Sequence, residues 1–307
     1  MEKLKQRFLE MHGLDNYQRI DPEHPVALYI GLDGNARYSL FCITETLPSK
    51  GLTSSRIITV FVGKRYDGTF GITFSLADQA FADHFISFCA DMIRASRSVK
   101  DPKKTADFMC ARYVQWQKAF SRNNNGLLSP SEIKGLIGEM YFLKSSLIPR
   151  YGEAAALSAW CGPEMSDRDF ECQDTWFEVK ATVSGAAAVS ISSVEQLDTD
   201  RSGHLVVIFL DKTSTADVSA LTLNKMYHML RKSLSSDLLA QKLDTVLLSF
   251  GYYENDAYDA YCFRYSGAAS YSVDSDFPCM RRKNIPIAAQ NVRYDLSLAA
   301  IQEFKEA

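Results

Sequence analysis

Six residues, Ser121-Arg122-Asn123-Asn124-Asn125-Gly126, limit the fold of this chain more than any other stretch. Their types favour turns and resist helix, and hydrophobic periodicity stops across them. Before them, short apolar runs alternate with turn signals and two helical patterns follow; after them, helix and strand patterns are interleaved. A boundary near residue 125 divides the 307 residues into a part of 1–125 and a part of 126–307, as a prior of roughly 100–200 residues per domain allows.

In the first part the runs 26–30, 38–44, 57–62 and 70–74, with turns at Leu32-Asp33-Gly34-Asn35 and Tyr66-Asp67-Gly68, predict a small antiparallel β unit. Phe81, Phe85, Phe88, Cys89, Met92 and Ile93 then recur at helical spacing, as do Met109, Tyr113, Trp116 and Phe120 after Pro102. The second part opens with Ser129 as N-cap, Pro130 at the first helical position and Glu132 three residues after the serine, predicting a helix over 130–147. Strands are expected over 169–172, 175–182, 188–193, 204–210, 246–250 and 258–265, and helices over 222–232, 237–243 and 297–305. This order is that of an α/β (mixed α+β) core rather than a bundle or a sandwich.

Hydrophobic residues make up 46% and charged residues 23%, which excludes disorder, a fibrous repeat and a disulfide-stapled miniature. The net charge of −3 provides no global field for a polyanion, so nucleic-acid binding would need local patches. Seven cysteines, never spaced C-x-x-C, read as reduced thiols rather than a zinc site. No run approaches 18 apolar residues and no signal-peptide core follows Met1, so the expectation is a cytoplasmic protein without a membrane partner. No histidine has a metal-ligand neighbour at suitable spacing, and no G-x-x-x-x-G-K-[ST] loop is present.

The chemistry is concentrated in Thr175-Trp176-Phe177-Glu178-Val179-Lys180-Ala181-Thr182. On a strand, Phe177, Val179 and Ala181 take one face, and Trp176, Glu178 and Lys180 the other. With Gln173-Asp174 as a two-residue turn, Phe170 pairs with Phe177 and Asp169 with Glu178. Two carboxylates directly opposite, with Cβ atoms about 4.5–5.5 Å apart, repel each other. A hard divalent cation relieves this, since Mg²⁺ takes oxygen ligands and is commonly held by one or two carboxylates. Lys180 could then orient or deprotonate a water and stabilise charge developing on phosphorus. Gln-Asp lacks the positive-φ preference of Asn-Gly, and a longer loop would shift this pairing. On the 130–147 helix, Glu139 flanks the stripe Ile133, Leu136, Met140, Leu143, Leu147, beside Gly135 and Gly138. Two interior glycines cost about 1 kcal/mol each, which makes sense where a backbone or ligand comes close.

Glu139, Asp169 and Glu178-Val179-Lys180 together resemble the D…E-x-K signature of the PD-(D/E)XK, or restriction-endonuclease-like, superfamily. With Gly135-Leu136-Ile137-Gly138-Glu139, Trp160-Cys161-Gly162-Pro163, Gln196-Leu197, Phe277-Pro278 and Val292-Arg293-Tyr294-Asp295-Leu296, the chain is similar over nearly its whole length to a subgroup of bacterial proteins described as putative PD-(D/E)XK family members. The resemblance implies a central mixed sheet flanked by helices, and Mg²⁺-dependent DNA cleavage, with Mn²⁺ as substitute, in a restriction or phage-defence setting. It implies Asp169, Glu178 and Glu139 at the metal and Lys180 as the catalytic lysine. Arg168 stands where the superfamily has proline, and Asp167 is the second choice for the aspartate. DNA is then the partner, with a methyltransferase or ATPase subunit as a further one; a nuclease-fold subunit that cleaves nothing alone is the competing class. Cutting both strands would favour a homodimer, and the first part is left for DNA or partner binding. A carboxylate-pair glycosidase is disfavoured, since its mechanism has no role for the lysine.

Each residue has a plainer reading. Glu178 and Lys180 could be the solvated face of a strand, and Glu139 a solvated helix residue. Gln196 could close a capping box from Ser193 instead of serving the site. Trp176 could cover the sheet edge instead of stacking on a base. Arg94, Arg97, Lys100, Lys103 and Lys104 gather at a helix end, where the macrodipole explains cations. Arg281-Arg282-Lys283 lies in an expected loop and is the better candidate for substrate phosphate.

Overall fold

A computed structural model describes residues 2–121, 126–161 and 166–306. Arg122–Asn125 of the break, with the boundary expected there, and Gly162-Pro163 of the family-like motif lie outside the described residues. The chain divides into two compact units, Met1–Leu127 with Gly251–Asn255, and Leu128–Phe250 with Asp256–Ala307.

The first unit starts with helix α1 (Glu2–Leu9) and strand β1 (Asn16–Arg19), followed by β2 (Ala27–Leu32), β3 (Tyr38–Thr44), β4 (Ile58–Lys64) and β5 (Phe70–Leu76). They form an antiparallel sheet in the order β1-β2-β3-β5-β4. Alternation buries Leu28, Ile30, Leu40, Cys42, Ile72 and Phe74 on one face. Helices α2 (Ala82–Ser96) and α3 (Thr105–Ser121) supply Phe85, Phe88, Met92, Met109, Tyr113 and Trp116 to the same core, with Phe74 and Tyr113 ring centroids 5.2 Å apart. Asp91 is buried among these helices, and its carboxylate accepts from Arg112 Nε at 2.7 Å and Trp116 Nε1 at 2.7 Å. β1 was not expected: its sequence, Asn-Tyr-Gln-Arg, carries no apolar alternation, and it forms only as an edge against β2.

The second unit begins with α4 (Pro130–Phe142), whose start carries the expected capping box between Ser129 and Glu132. The expected helix over 130–147 is interrupted: residues 143–147 form a wider turn with i→i+5 bonding, then α5 (Ile148–Tyr151) ends at Gly152, whose φ is 79°. Next come α6 (Glu153–Ala159), β6 (Phe170–Glu171), β7 (Trp176–Thr182), β8 (Ala188–Ile191) and β9 (Gly203–Lys212), then α7 (Leu223–Ser233), α8 (Asp237–Ser249), β10 (Phe263–Val273) and β11 (Tyr294–Ser297). The central sheet has the order β10-β9-β7-β6, with β7 and β9 parallel and the other pairs antiparallel. β8 and β11 form a separate antiparallel pair. The fold is therefore mixed α/β, as expected.

Both faces of β7 are covered. Phe177 packs on Phe142 of α4, with ring centroids 5.2 Å apart. On the opposite face, Trp176 joins a cluster with Leu205 and Val207 of β9, Ala269 and Tyr271 of β10, and Val189 and Leu296 of the β8–β11 pair.

Three expected elements are corrected. Residues 246–250 are not a strand, because Leu243 and Leu247 continue the buried stripe of α8. The 258–265 strand begins only at Phe263, after a 3-10 turn over Asp256–Ala260. The closing helix over 297–305 is replaced by β11 and a short 3-10 turn, because Tyr294–Ser297 pairs with Ala188–Ile191 and the Leu298 N–H continues to the Ala187 carbonyl. Among the described residues no helix is long and apolar enough to cross a membrane.

Candidate active site

The β6–β7 hairpin has the expected register: Phe170 faces Phe177, Glu171 faces Trp176, and the Cys172 N–H donates to the Thr175 carbonyl at 2.8 Å around Gln173-Asp174. Asp169 therefore sits immediately before β6, beside Glu178, the third residue of β7. Its Oδ2 accepts from the Val179 N–H at 2.8 Å, so β7's own backbone orients the carboxylate.

Glu178 is 1% exposed. Its Oε1 lies 2.8 Å from Lys180 Nζ, while its Oε2 is buried with no hydrogen-bond partner. Burial, then the neighbouring Asp169 charge, push the Glu178 carboxyl up to about 8 against the partial relief of Lys180 and of the Asp169 backbone N–H. Burial likewise raises Asp169 to about 6, with Lys180 and the Val179 N–H opposing it. Glu139 projects from α4 and is held well above the usual carboxylate range by burial and then by Asp169. The Trp160 indole N–H donates to its Oε2 at 2.8 Å. The structure thus brings together Glu139, Asp169, Glu178 and Lys180 from one helix and one hairpin.

The two glycines of α4 behave differently. A Cβ on Gly138 would meet the Ala181 Cβ at 3.0 Å, so this glycine lets the helix lie close on β7 beside Glu139. A Cβ on Gly135 would meet nothing within 4 Å, so no close approach explains it.

A scan against protein families matches residues 7–299 to the family DUF4420, described as "Putative PD-(D/E)XK family member". The chain belongs to that family. No curated protein and no solved structure matches it.

As nucleases, PD-(D/E)XK proteins usually use divalent metals. Among the described residues no group of three or more His, Cys, Asp or Glu side chains is arranged to hold a metal ion by itself. Each carboxylate keeps one oxygen engaged, at Trp160 for Glu139, the Val179 N–H for Asp169 and Lys180 for Glu178. The residues nevertheless fit a hard cation. A buried carboxylate oxygen without a partner, in a group where the Asp169 charge raises both Glu178 and Glu139, is a local deficit of positive charge, and Mg²⁺ needs only one or two protein carboxylates.

For this PD-(D/E)XK family member the remaining expected residues divide. Gln196 does not work as a capping residue, since Ser193 makes no side-chain cap bond. Its Oε1 instead accepts from Lys180 Nζ at 3.0 Å and from the Ser192 N–H at 2.8 Å. Trp176 is corrected as a base-stacking residue: it is fully buried, its indole N–H donates to the Arg201 carbonyl at 2.8 Å, and Arg168 covers its ring at 4.7 Å. Arg281 is corrected as a phosphate contact, because its guanidinium binds the carbonyls of Asp274, Ser275 and Thr199 and pairs with Asp198. Arg282 and Lys283 remain exposed. Of the 94–104 cluster, Arg94 pairs with Asp91 and Arg97 with Asp21.

Sequence reasoning gave no role to Trp160 or Arg168. An indole-to-carboxylate bond across 21 residues has no local signature. Arg168 pairs with Glu171 and ties the hairpin to the Glu195 and Asp198 carbonyls, where the superfamily's proline could not donate.

Proposed function

We propose that this protein is a metal-dependent nuclease that hydrolyses DNA phosphodiester bonds with Mg²⁺ or Mn²⁺, in a bacterial restriction or phage-defence setting. The observation that carries the reading is the unpartnered, buried Oε2 of Glu178, with Asp169 beside it and Lys180 Nζ on its other oxygen. Glu178 and Asp169 would hold the cation, with Glu139 supporting them from α4. Bound there, the ion would supply Lewis-acid polarisation of a phosphoryl oxygen and a more acidic water.

The chain's own residues do the rest. An ammonium has three N–H donors, and Lys180 directs two of them to Glu178 Oε1 and Gln196 Oε1, leaving one for a water or a phosphate oxygen. Held in this way, Nζ places positive charge where the pentavalent phosphorane gathers negative charge. Trp160 fixes one oxygen of Glu139 and turns the other away from the indole.

A second reading, a nuclease-fold subunit that cleaves only in a complex, is favoured by the engagement of nearby cations. Arg168 and Arg201 pair with Glu171, and Arg281 with Asp198, which leaves few guanidiniums for a DNA backbone unless another subunit adds them. Incubation of the pure protein with methylated and unmethylated DNA, with Mg²⁺ or Mn²⁺ present, tests the proposal. Metal-dependent cleavage by the protein alone supports the nuclease; cleavage only with an added methyltransferase or ATPase subunit supports the second reading.

A further inference from the structure

β8 and β11 pair with Tyr294 opposite Ile191, so the residues leaving β8 and those entering β11 lie side by side. The basic run at 281–283 comes to the same place, because the Arg282 N–H donates to Asp198 Oδ2 and its guanidinium to the Ala289 carbonyl at 3.1 Å. Between them is a cavity of about 320 Å³, lined by Ser192, Ser193, Arg282, Gln290, Asn291 and Arg293, with Glu195 and two valines completing the wall. Asn291 turns the chain into it at a left-handed φ of 53°. Arg293 makes no hydrogen bond or ion pair among the described residues.

We propose that this cavity is a nucleotide pocket, taking one phosphate-bearing nucleotide unit of the substrate strand next to the Lys180 site. Arg282, Arg293 and the two serine hydroxyls are donors suited to a phosphate, which guanidinium groups bind in a bidentate manner. Gln290 and Asn291 carry both donors and acceptors, the set that reads a base edge. Glu195 repels a bare anion and accepts from an exocyclic amino group, so the wall favours a nucleotide over free phosphate. The volume lies at the small end of ligand sites, which begin at roughly 300 Å³.

The pocket reaches the reacting centre through one atom. Gln196 Oε1 accepts both from the Ser192 N–H in the pocket wall and from Lys180 Nζ. A nucleotide that orders Ser192 thereby orders Gln196 and the lysine. The inference rests on the polynucleotide reading above.

The test is calorimetric titration of the full chain in EDTA with 2′-deoxyadenosine 3′,5′-bisphosphate, and with inorganic phosphate and deoxyadenosine for comparison. The bisphosphate should bind more tightly than either, and Arg293→Ala should weaken it about ten- to a hundredfold, the effect of losing charged hydrogen bonds. Equal binding of inorganic phosphate, or undiminished binding by both Arg293→Ala and Arg282→Ala, overturns the pocket. Nucleotide binding at Arg293 in a protein that never cleaves DNA overturns the nuclease reading and retains the pocket; cleavage with no effect of the arginine substitutions does the reverse.

Discussion

Lys180 Nζ lies 2.8 Å from Glu178 Oε1, while the second oxygen of the same carboxylate is buried with no hydrogen-bond partner. A buried polar atom left unsatisfied costs about 1–3 kcal/mol. The ammonium offsets half of what the carboxylate requires, and in the proposed site the other half would be met by a cation.

Divalent-ion binding should depend on these acids separately from the lysine. Calorimetry with Mn²⁺ should show binding by the parent chain and its loss in Asp169→Asn and Glu178→Gln. Retained binding in both variants would remove these residues from the metal site.

The metal-free protein should lose stability as pH rises. An acid whose folded pKa lies above its usual value holds its proton better folded than unfolded. Its contribution is therefore complete below about pH 4.5 and is lost as pH rises through about 8 for Glu178. In EDTA the melting temperature should fall between pH 5 and pH 8, and Glu178→Gln should flatten this slope. An unchanged slope in the variant would place the proton elsewhere.

Gln196→Ala should cut cleavage about ten- to a hundredfold, as loss of a supporting hydrogen bond does around metal sites, with Mn²⁺ affinity retained. In the proposed site the glutamine would position Nζ without touching the cation. Equal loss of metal binding would show that it acts on the acids instead.

The glycines of α4 should respond in opposite directions. Gly135→Ala, with open space around it, should stabilise the protein by ~0.5–1 kcal/mol in denaturant titration. Gly138→Val, driven into Ala181, should destabilise it by ~1–3 kcal/mol. Similar effects at both positions would contradict the close helix–sheet approach.

Much of the hairpin was legible because its logic is local. The two-residue turn at Gln173-Asp174 sets Phe170 against Phe177, and that register extended by one residue brings Asp169 opposite Glu178. The burial of Trp176 was not legible, since alternation assigns a residue to a face but not the cover that β8 and β11 place on it. Residues 294–298 are too short an apolar run to separate strand from helix by period, and long-range pairing with β8 decides it. Arg281 reads as a free cation in sequence because backbone carbonyls hold it, those of Asp274 and Ser275 in a nearby turn and that of Thr199 82 residues away, and none of them leaves a mark in the side-chain pattern. The bond from Trp160 to Glu139 depends on tertiary packing in the same way.

The central claim, that Lys180 serves phosphodiester hydrolysis at a metal held by Glu178 and Asp169, is tested most directly by plasmid nicking with purified Lys180→Ala in Mg²⁺. The account predicts that nicking by the parent chain is abolished in the variant, while its melting transition and Mn²⁺ binding persist. Undiminished, metal-dependent nicking by Lys180→Ala would contradict it.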